Sequence, residues 1–174
     1  MSHDSADRPA DRAVGGEPPG SPVDRKKAYL HPGQLFVSDQ PHAVTTVLGS
    51  CVSVCIWDPK ARTGGLTHYV LPSQIGPLQE PMRFGDRAIP RLIAKLVVLG
   101  AQKNRLTSKV FGGMCRMAVA RGGQPELGRQ NVDLALQLLE QERIPVVARD
   151  VLGSHGRKLI FFTDDGTAWV KTLG

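Results

Sequence analysis

Only two stretches of this 174-residue chain repeat apolar residues at helical spacing, and every other apolar run is short and extended. Ile89, Leu92, Ile93, Leu96 and Val97 share one helix face between Asp86, a capping residue, and Gly100, a stop signal. Pro90 falls in the first turns, where few backbone donors are lost. Asn131, Leu134, Ala135, Leu138 and Leu139 make the second stripe, closed by Pro145. The extended runs are 43–48, 52–57, 66–71, 106–111, 146–151, 159–163 and 168–172. Asp58-Pro59 and Gly64-Gly65 bracket the connection between the second and third of these. Asp164-Asp165-Gly166 joins the last two as a hairpin turn, since Asp-Gly tolerates positive φ. About six to eight strands with two helices predict an α/β (α+β) sandwich, its helices covering one face of a mainly antiparallel sheet.

Residues 1–28 read as a disordered leader. Pro9, Pro18, Pro19 and Pro22 punctuate it, and Val14 and Val23 are its only branched apolar residues. Too little apolar surface is present to offset the entropy of ordering such a segment. No second stretch rich in Pro, Gly and Ser follows, so 29–174 reads as one domain. Acids and bases balance within the leader, which puts the net charge of +6 on the body. That charge suits nucleic acid or an acidic protein surface. No run approaches the roughly 18 apolar residues of a membrane span, and no apolar segment of a secretory signal follows the N-terminus. The odd set Cys51, Cys55 and Cys115 in such a chain predicts reduced thiols and a cytoplasmic protein.

The segment from Thr45 to Cys51, followed by His68 17 residues later, carries the most chemistry. Cys51 directly follows Gly49-Ser50 at the junction of two extended runs. A cysteine at such a turn can expose its sulfur and gather backbone N–H groups around an oxyanion. The thiolate is the attacking form, and an imidazole such as His68 can take the thiol proton and return it to a leaving amine. A hydroxyl such as Thr45 can orient that imidazole. Taken alone, Cys51 also reads as a small buried apolar residue and His68 as a hydrogen-bonded structural one. Cys55 and Cys115 read as packing residues.

Two other chemistries compete. Cys51, Cys55, His68 and Cys115 could supply four zinc ligands, but Cys51 and Cys55 would lie roughly 13 Å apart on one strand. Arg83, Arg87, Arg91 and Lys95 recur at four-residue spacing and put a basic stripe opposite the apolar face of the first helix. Such a stripe can track phosphates or dock an acidic protein, and no helix-turn-helix, RNA-binding aromatic signature or zinc finger accompanies it. Gly112-Gly113, Gly122-Gly123 and Gly153 form neither a P-loop nor a dinucleotide fingerprint.

The motifs resemble those of the CheD family of chemoreceptor glutamine deamidases. The resemblance is carried by Leu48-Gly49-Ser50-Cys51 through Asp58-Pro59, by Gly64 through Pro72, and by Arg83 through Ile89. It continues through Phe111-Gly112-Gly113, Gly128 through Val132, Ile144 through Ala148, and Asp150 through Phe162. It implies hydrolysis of glutamine side-chain amides on the cytoplasmic helices of chemoreceptors, with Cys51 as nucleophile, His68 as base and acid, and Thr45 completing the triad. It further implies no cofactor, no metal, and a three-layer sandwich related to toxin-type cysteine deamidases. Chemoreceptors are the implied partner, with a CheC-type phosphatase as a second, and neither nucleic acid nor membrane insertion belongs to the picture. A binding module that regulates such a phosphatase or the receptor is the alternative. Two positions depart from the pattern: Leu152 stands where the first of two glycines is expected, and Met114 replaces a small residue. Both fall in segments expected to shape the substrate groove.

Overall fold

The computed structural model describes residues 22–73, 77, 80–116, 123 and 125–174. Its strands are β1 (Lys26–Tyr29), β2 (Gln34–Ser38), β3 (His42–Leu48), β4 (Val52–Asp58), β5 (Thr63–His68), β6 (Thr107–Gly112), β7 (Val146–Val151), β8 (Arg157–Phe162) and β9 (Ala168–Thr172). Helix α1 spans Gly85–Val98 and α2 spans Leu127–Gln141. Four strands form one sheet in the order β1-β3-β8-β9, and five form the other in the order β2-β5-β4-β6-β7. The β1–β3 and β6–β7 pairs are parallel, and the remaining pairs are antiparallel.

Side-chain periodicity sets the layering. Alternate residues of a strand face opposite ways, so β4 buries Val52, Val54 and Ile56 against the helices and Cys55 against the second sheet. Ile89, Leu92 and Leu96 of α1 and Val132, Ala135 and Leu139 of α2 complete the first interface. Val44, Leu48, Leu66, Phe111, Leu159 and Phe161 fill the second. Each fully buried Leu, Ile or Phe contributes roughly 1.5–3 kcal/mol. The result is a three-layer sandwich of helices, five-stranded sheet and four-stranded sheet, the expected α+β architecture with a second sheet added.

Four local readings change. Residues 22–28 belong to the fold: β1 pairs with β3 from Lys26 opposite His42, and the Arg25 guanidinium lies on Asp164 at 2.7 and 2.9 Å and on Asp165 at 2.8 Å. Partner strands and partner charges order this polar segment, and its own apolar content gives no sign of it. The rest of the expected leader, 1–21, lies outside the described residues. Gly64 and Gly65 sit within β5, where a Cβ on Gly64 would come 2.7 Å from the Thr163 carbonyl and one on Gly65 2.5 Å from that of Phe36. They permit close approach on both faces of the strand. Asp86 lies in the first turn of α1, and Phe84 occupies the cap position without a side-chain bond. Arg83 ends a short 3-10 turn, Pro81–Arg83, ahead of that helix.

The far end of β4 is an ion-paired corner. Buried Asp58 accepts the N–H groups of Lys60, Ala61 and Gln102 at 2.9, 3.1 and 2.8 Å. Arg105 adds Nε at 3.0 Å and Nη2 at 2.8 Å. Burial alone would raise this carboxyl, but the Arg105 and backbone hydrogen bonds outweigh it and hold Asp58 well below the usual carboxylate range.

Candidate active site

At the near end of β4, the link from β3 carries Gly49, Ser50 and Cys51. Three bonds fix its course: Gly113 N–H donates to the Cys51 carbonyl at 2.8 Å, Met114 N–H to that of Gly49 at 2.8 Å, and Asn131 Nδ2 to that of Ser50 at 3.0 Å. Gly112 has φ of +103°, and a Cβ there would sit 2.3 Å from the Cys51 carbonyl oxygen. Only glycine fits. The chain therefore enters Cys51 on a path set by the β6–α2 connection.

Strand register brings His68 to the same place. Val52 and Tyr69 exchange both backbone hydrogen bonds at 3.1 Å, in register with the Cys55–Leu66 pair. His68 thus falls opposite Ser53, and Cys51 lies two residues before Ser53 on the same face. Such diagonal neighbours in a regular ladder are about 7–8 Å apart between Cα atoms. That face looks toward the four-stranded sheet, where Cys51 packs against the inter-sheet core.

A hydroxyl from across the sandwich meets the His68 ring. Thr46 Oγ1 lies 2.7 Å from His68 Nδ1 and 2.8 Å from the Leu30 carbonyl. A carbonyl only accepts, so the Thr46 hydroxyl donates to Leu30 and its oxygen accepts from Nδ1–H. Neutral His68 is thereby fixed with the proton on Nδ1 and a bare lone pair on Nε2. Nε2 is buried and has no hydrogen-bond partner among the described residues. A buried nitrogen of this kind costs stability unless something uses it.

Thr45, the expected third member, does not make this contact. Successive residues of β3 face opposite ways, and Thr45 sits opposite Ile160 on the outer face of the four-stranded sheet. Its main chain still serves, because the Thr45 carbonyl accepts the Leu30 N–H at 2.9 Å and so steadies the acceptor that Thr46 uses. Strand register sets Cys51 and His68 on one face, and the side chain that meets the His68 ring is that of Thr46 rather than Thr45.

Electrostatics make the resting pair neutral. Burial pushes the Cys51 thiol up, against the lowering effects of the Arg83 cation and the residue's own N–H. Burial lowers His68 to about 4, with the Leu30 carbonyl opposing and His31 assisting. At pH 7 the thiol keeps its proton and the imidazole carries a single one. Cys55, on the same face of β4, is sealed and pushed up to about 12 by burial. Among the described residues no three His, Cys, Asp or Glu side chains converge as metal ligands would.

Asn131, which helical spacing places in an apolar stripe, bonds the β3–β4 link instead. Its buried Nδ2 donates to the Ser50 carbonyl at 3.0 Å and to the Val70 carbonyl at 2.9 Å, tying that link to the segment that follows β5. Its own carbonyl accepts the Tyr69 hydroxyl. A polar residue within an apolar stripe was the available signal. The two departures from the family pattern also meet here. Leu152 N–H donates to Gly112 and Cys115 N–H to Gly153, both at 2.9 Å. Leu152 adopts φ of +64°, the left-handed conformation that the expected glycine would take without strain.

Comparison with known proteins places the chain. The sequence model described as CheD chemotactic sensory transduction matches residues 70–172. A protein of Anaeromyxobacter dehalogenans named "Probable chemoreceptor glutamine deamidase CheD 1" is 49% identical over 165 residues, covering 94% of this chain and 95% of that protein. A span of that length includes the segment from Thr45 to His68. A relative of the same type from Trichlorobacter lovleyi is 40% identical, covering 86% of this chain and 91% of its own. One from Geobacter sulfurreducens is 41% identical, covering 83% and 89%. No helix among the described residues is long and apolar enough to cross a membrane. From the site motifs, the three-layer fold and these matches together, the chain belongs to the CheD family.

Proposed function

We propose that this chain hydrolyses glutamine side-chain amides of chemoreceptors, giving glutamate and ammonia. The single observation that carries the chemistry is His68: Nδ1 is held through Thr46 to Leu30, and Nε2 is left bare on the face shared with Cys51. The names of the relatives support the substrate. As substrate enters, Nε2 takes the Cys51 thiol proton while Sγ bonds to the amide carbon, so the thiolate exists only as it attacks. The Cys51 N–H is a donor adjacent to the oxyanion that then develops. Collapse breaks the carbon–nitrogen bond, and the proton on Nε2 leaves with ammonia. Water next attacks the thioester, giving its proton to Nε2, and the carboxylic acid departs as the sulfur recovers that proton. Arg83 favours the transient thiolate. Three reduced thiols fit the cytoplasm as the compartment.

The test is mass spectrometry of a chemoreceptor cytoplasmic fragment after incubation. Wild type replaces the amide nitrogen by oxygen at discrete glutamines, and Cys51→Ala and His68→Ala leave the fragment unchanged. Folded wild type that leaves every glutamine intact defeats the reading.

A further inference from the structure

The basic face of α1 is left without a task by this chemistry, and it borders a groove. One hollow of about 770 Å³ lies between the β1–β2 connection and α1, with Leu30, Leu35, Phe36 and Met82 in its walls. A second of about 350 Å³ continues it along α1 to Val98 and Leu99. Arg91 and Lys95 line both hollows, which makes one elongated trough with two cations at its middle. Neither forms a salt bridge with an acid among the described residues. The far wall is strongly apolar and open, with Val98 85% exposed. Strand β2 is an edge strand, paired only with β5.

One end of the trough is lined by Leu30 and Met82, two residues that back onto the site. Leu30 supplies the carbonyl that anchors Thr46, and Met82 adjoins Arg83, whose charge acts on Cys51. Gly33, in the turn before β2, donates its N–H to the His68 carbonyl at 2.8 Å. A partner in the trough therefore lies against the Leu30 and Gly33 segment whose backbone supports Thr46 and His68. Apolar walls with cations at mid-length that pair with no acid among the described residues call for an amphipathic segment that carries acidic side chains along one edge. A nucleic acid would want the cations without the apolar walls.

We infer that this trough docks an acidic, amphipathic segment of the protein substrate, with Arg91 and Lys95 reading its carboxylates and Val98 and Leu99 its apolar side. The inference rests on the proposed deamidase reading and extends it to substrate selection. Steady-state kinetics on the chemoreceptor fragment test it with the double variant Arg91→Glu/Lys95→Glu and with Val98→Asp. Each is expected to raise KM at least tenfold, with the loss carried in KM rather than kcat, and to leave iodoacetamide labelling of Cys51 at the wild-type rate. Lys60→Glu/Lys171→Glu, an equal charge reversal on other surfaces, is the control. An unchanged KM in the double variant, or an equal rise in the control, overturns the inference. If wild type does not deamidate the fragment, the deamidase reading fails separately, and fluorescence anisotropy of the labelled fragment decides the trough. Binding weakened tenfold by the double variant supports it. No binding, or affinity for duplex DNA in its place, overturns it.

Discussion

The two ends of β4 hold the chain's most instructive buried polar groups, and they are treated in opposite ways. At Asp58 the carboxylate receives three backbone N–H groups and an arginine. At His68 one ring nitrogen is locked and the other is left bare. Full pairing at Asp58 spends nothing on reactivity and fastens the β4–β5 turn to the segment before β6. The bare nitrogen at His68 costs stability, and the proposed reaction uses it as its base. Cys51, just before β4, and Cys55 within it repeat the contrast: two thiols on one face, one partly exposed and one sealed in the core.

The comparison breaks most visibly at the thiols. Cys51→Ala is expected to lose at least about 10⁴-fold in kcat. Cys55→Ala is expected to keep kcat within about threefold and to lose about 1 kcal/mol of stability. Mass spectrometry of the receptor fragment and urea unfolding read the two effects, and activity lost through Cys55 alone would undo the assignment. The corner comes next. Asp58→Asn strands Arg105 and is expected to cost about 3 kcal/mol in urea unfolding while leaving Cys51 labelling unchanged.

Acid sharpens the same contrast, because the two ends titrate in different windows. Unfolded histidine binds a proton near 6.5, whereas folded His68 does so at about 4. The unfolded chain therefore holds more protons between those values, and stability falls as pH drops from 6.5 toward 4. His68→Asn flattens that slope. Asp58 has a depressed folded value, so its contribution is complete above the ordinary carboxylate value of about 4 and is lost below it. Asp58→Asn flattens the lower window alone. Urea titrations at a series of pH values separate the two, and a wild-type profile level between 6.5 and 4 would contradict the buried neutral imidazole.

The smallest effect falls on the orienting hydroxyl. Thr46→Val is expected to lower kcat/KM about tenfold, the worth of one buried hydrogen bond. Thr45→Val keeps the backbone carbonyl that holds Leu30 and is expected to stay within about twofold. The reverse ranking would return the role to Thr45.

These contrasts mark where the amino-acid sequence is legible. Residues 146–151 and 168–172 form the expected strands without a shift, because each run is apolar enough to declare itself. Both helices follow their stripes to within a few residues. β1, reading Lys-Lys-Ala-Tyr, has no such pattern and exists through pairing with β3. β2 is short and stands at a sheet edge. Motif and spacing single out Cys51 and His68, whereas nothing in them says whether Thr45 or Thr46 meets the His68 ring. A shift of one residue in β3 turns a side chain to the opposite face, and the packing of two sheets decides which face meets His68. Asn131 was hidden for a related reason: a helical stripe reports burial and says nothing of which carbonyls end a neighbouring loop.

The central claim is that His68 rests neutral, with its proton on Nδ1 toward Thr46 and Nε2 bare beside Cys51. ¹⁵N chemical shifts of the His68 ring, followed through a pH titration of the full-length protein, test it directly. The account predicts the Nδ1–H tautomer at pH 7 and protonation only near 4, with Thr46→Val losing the tautomer preference. An imidazolium at pH 7, or a wild-type ring protonated on Nε2 alone, would contradict it.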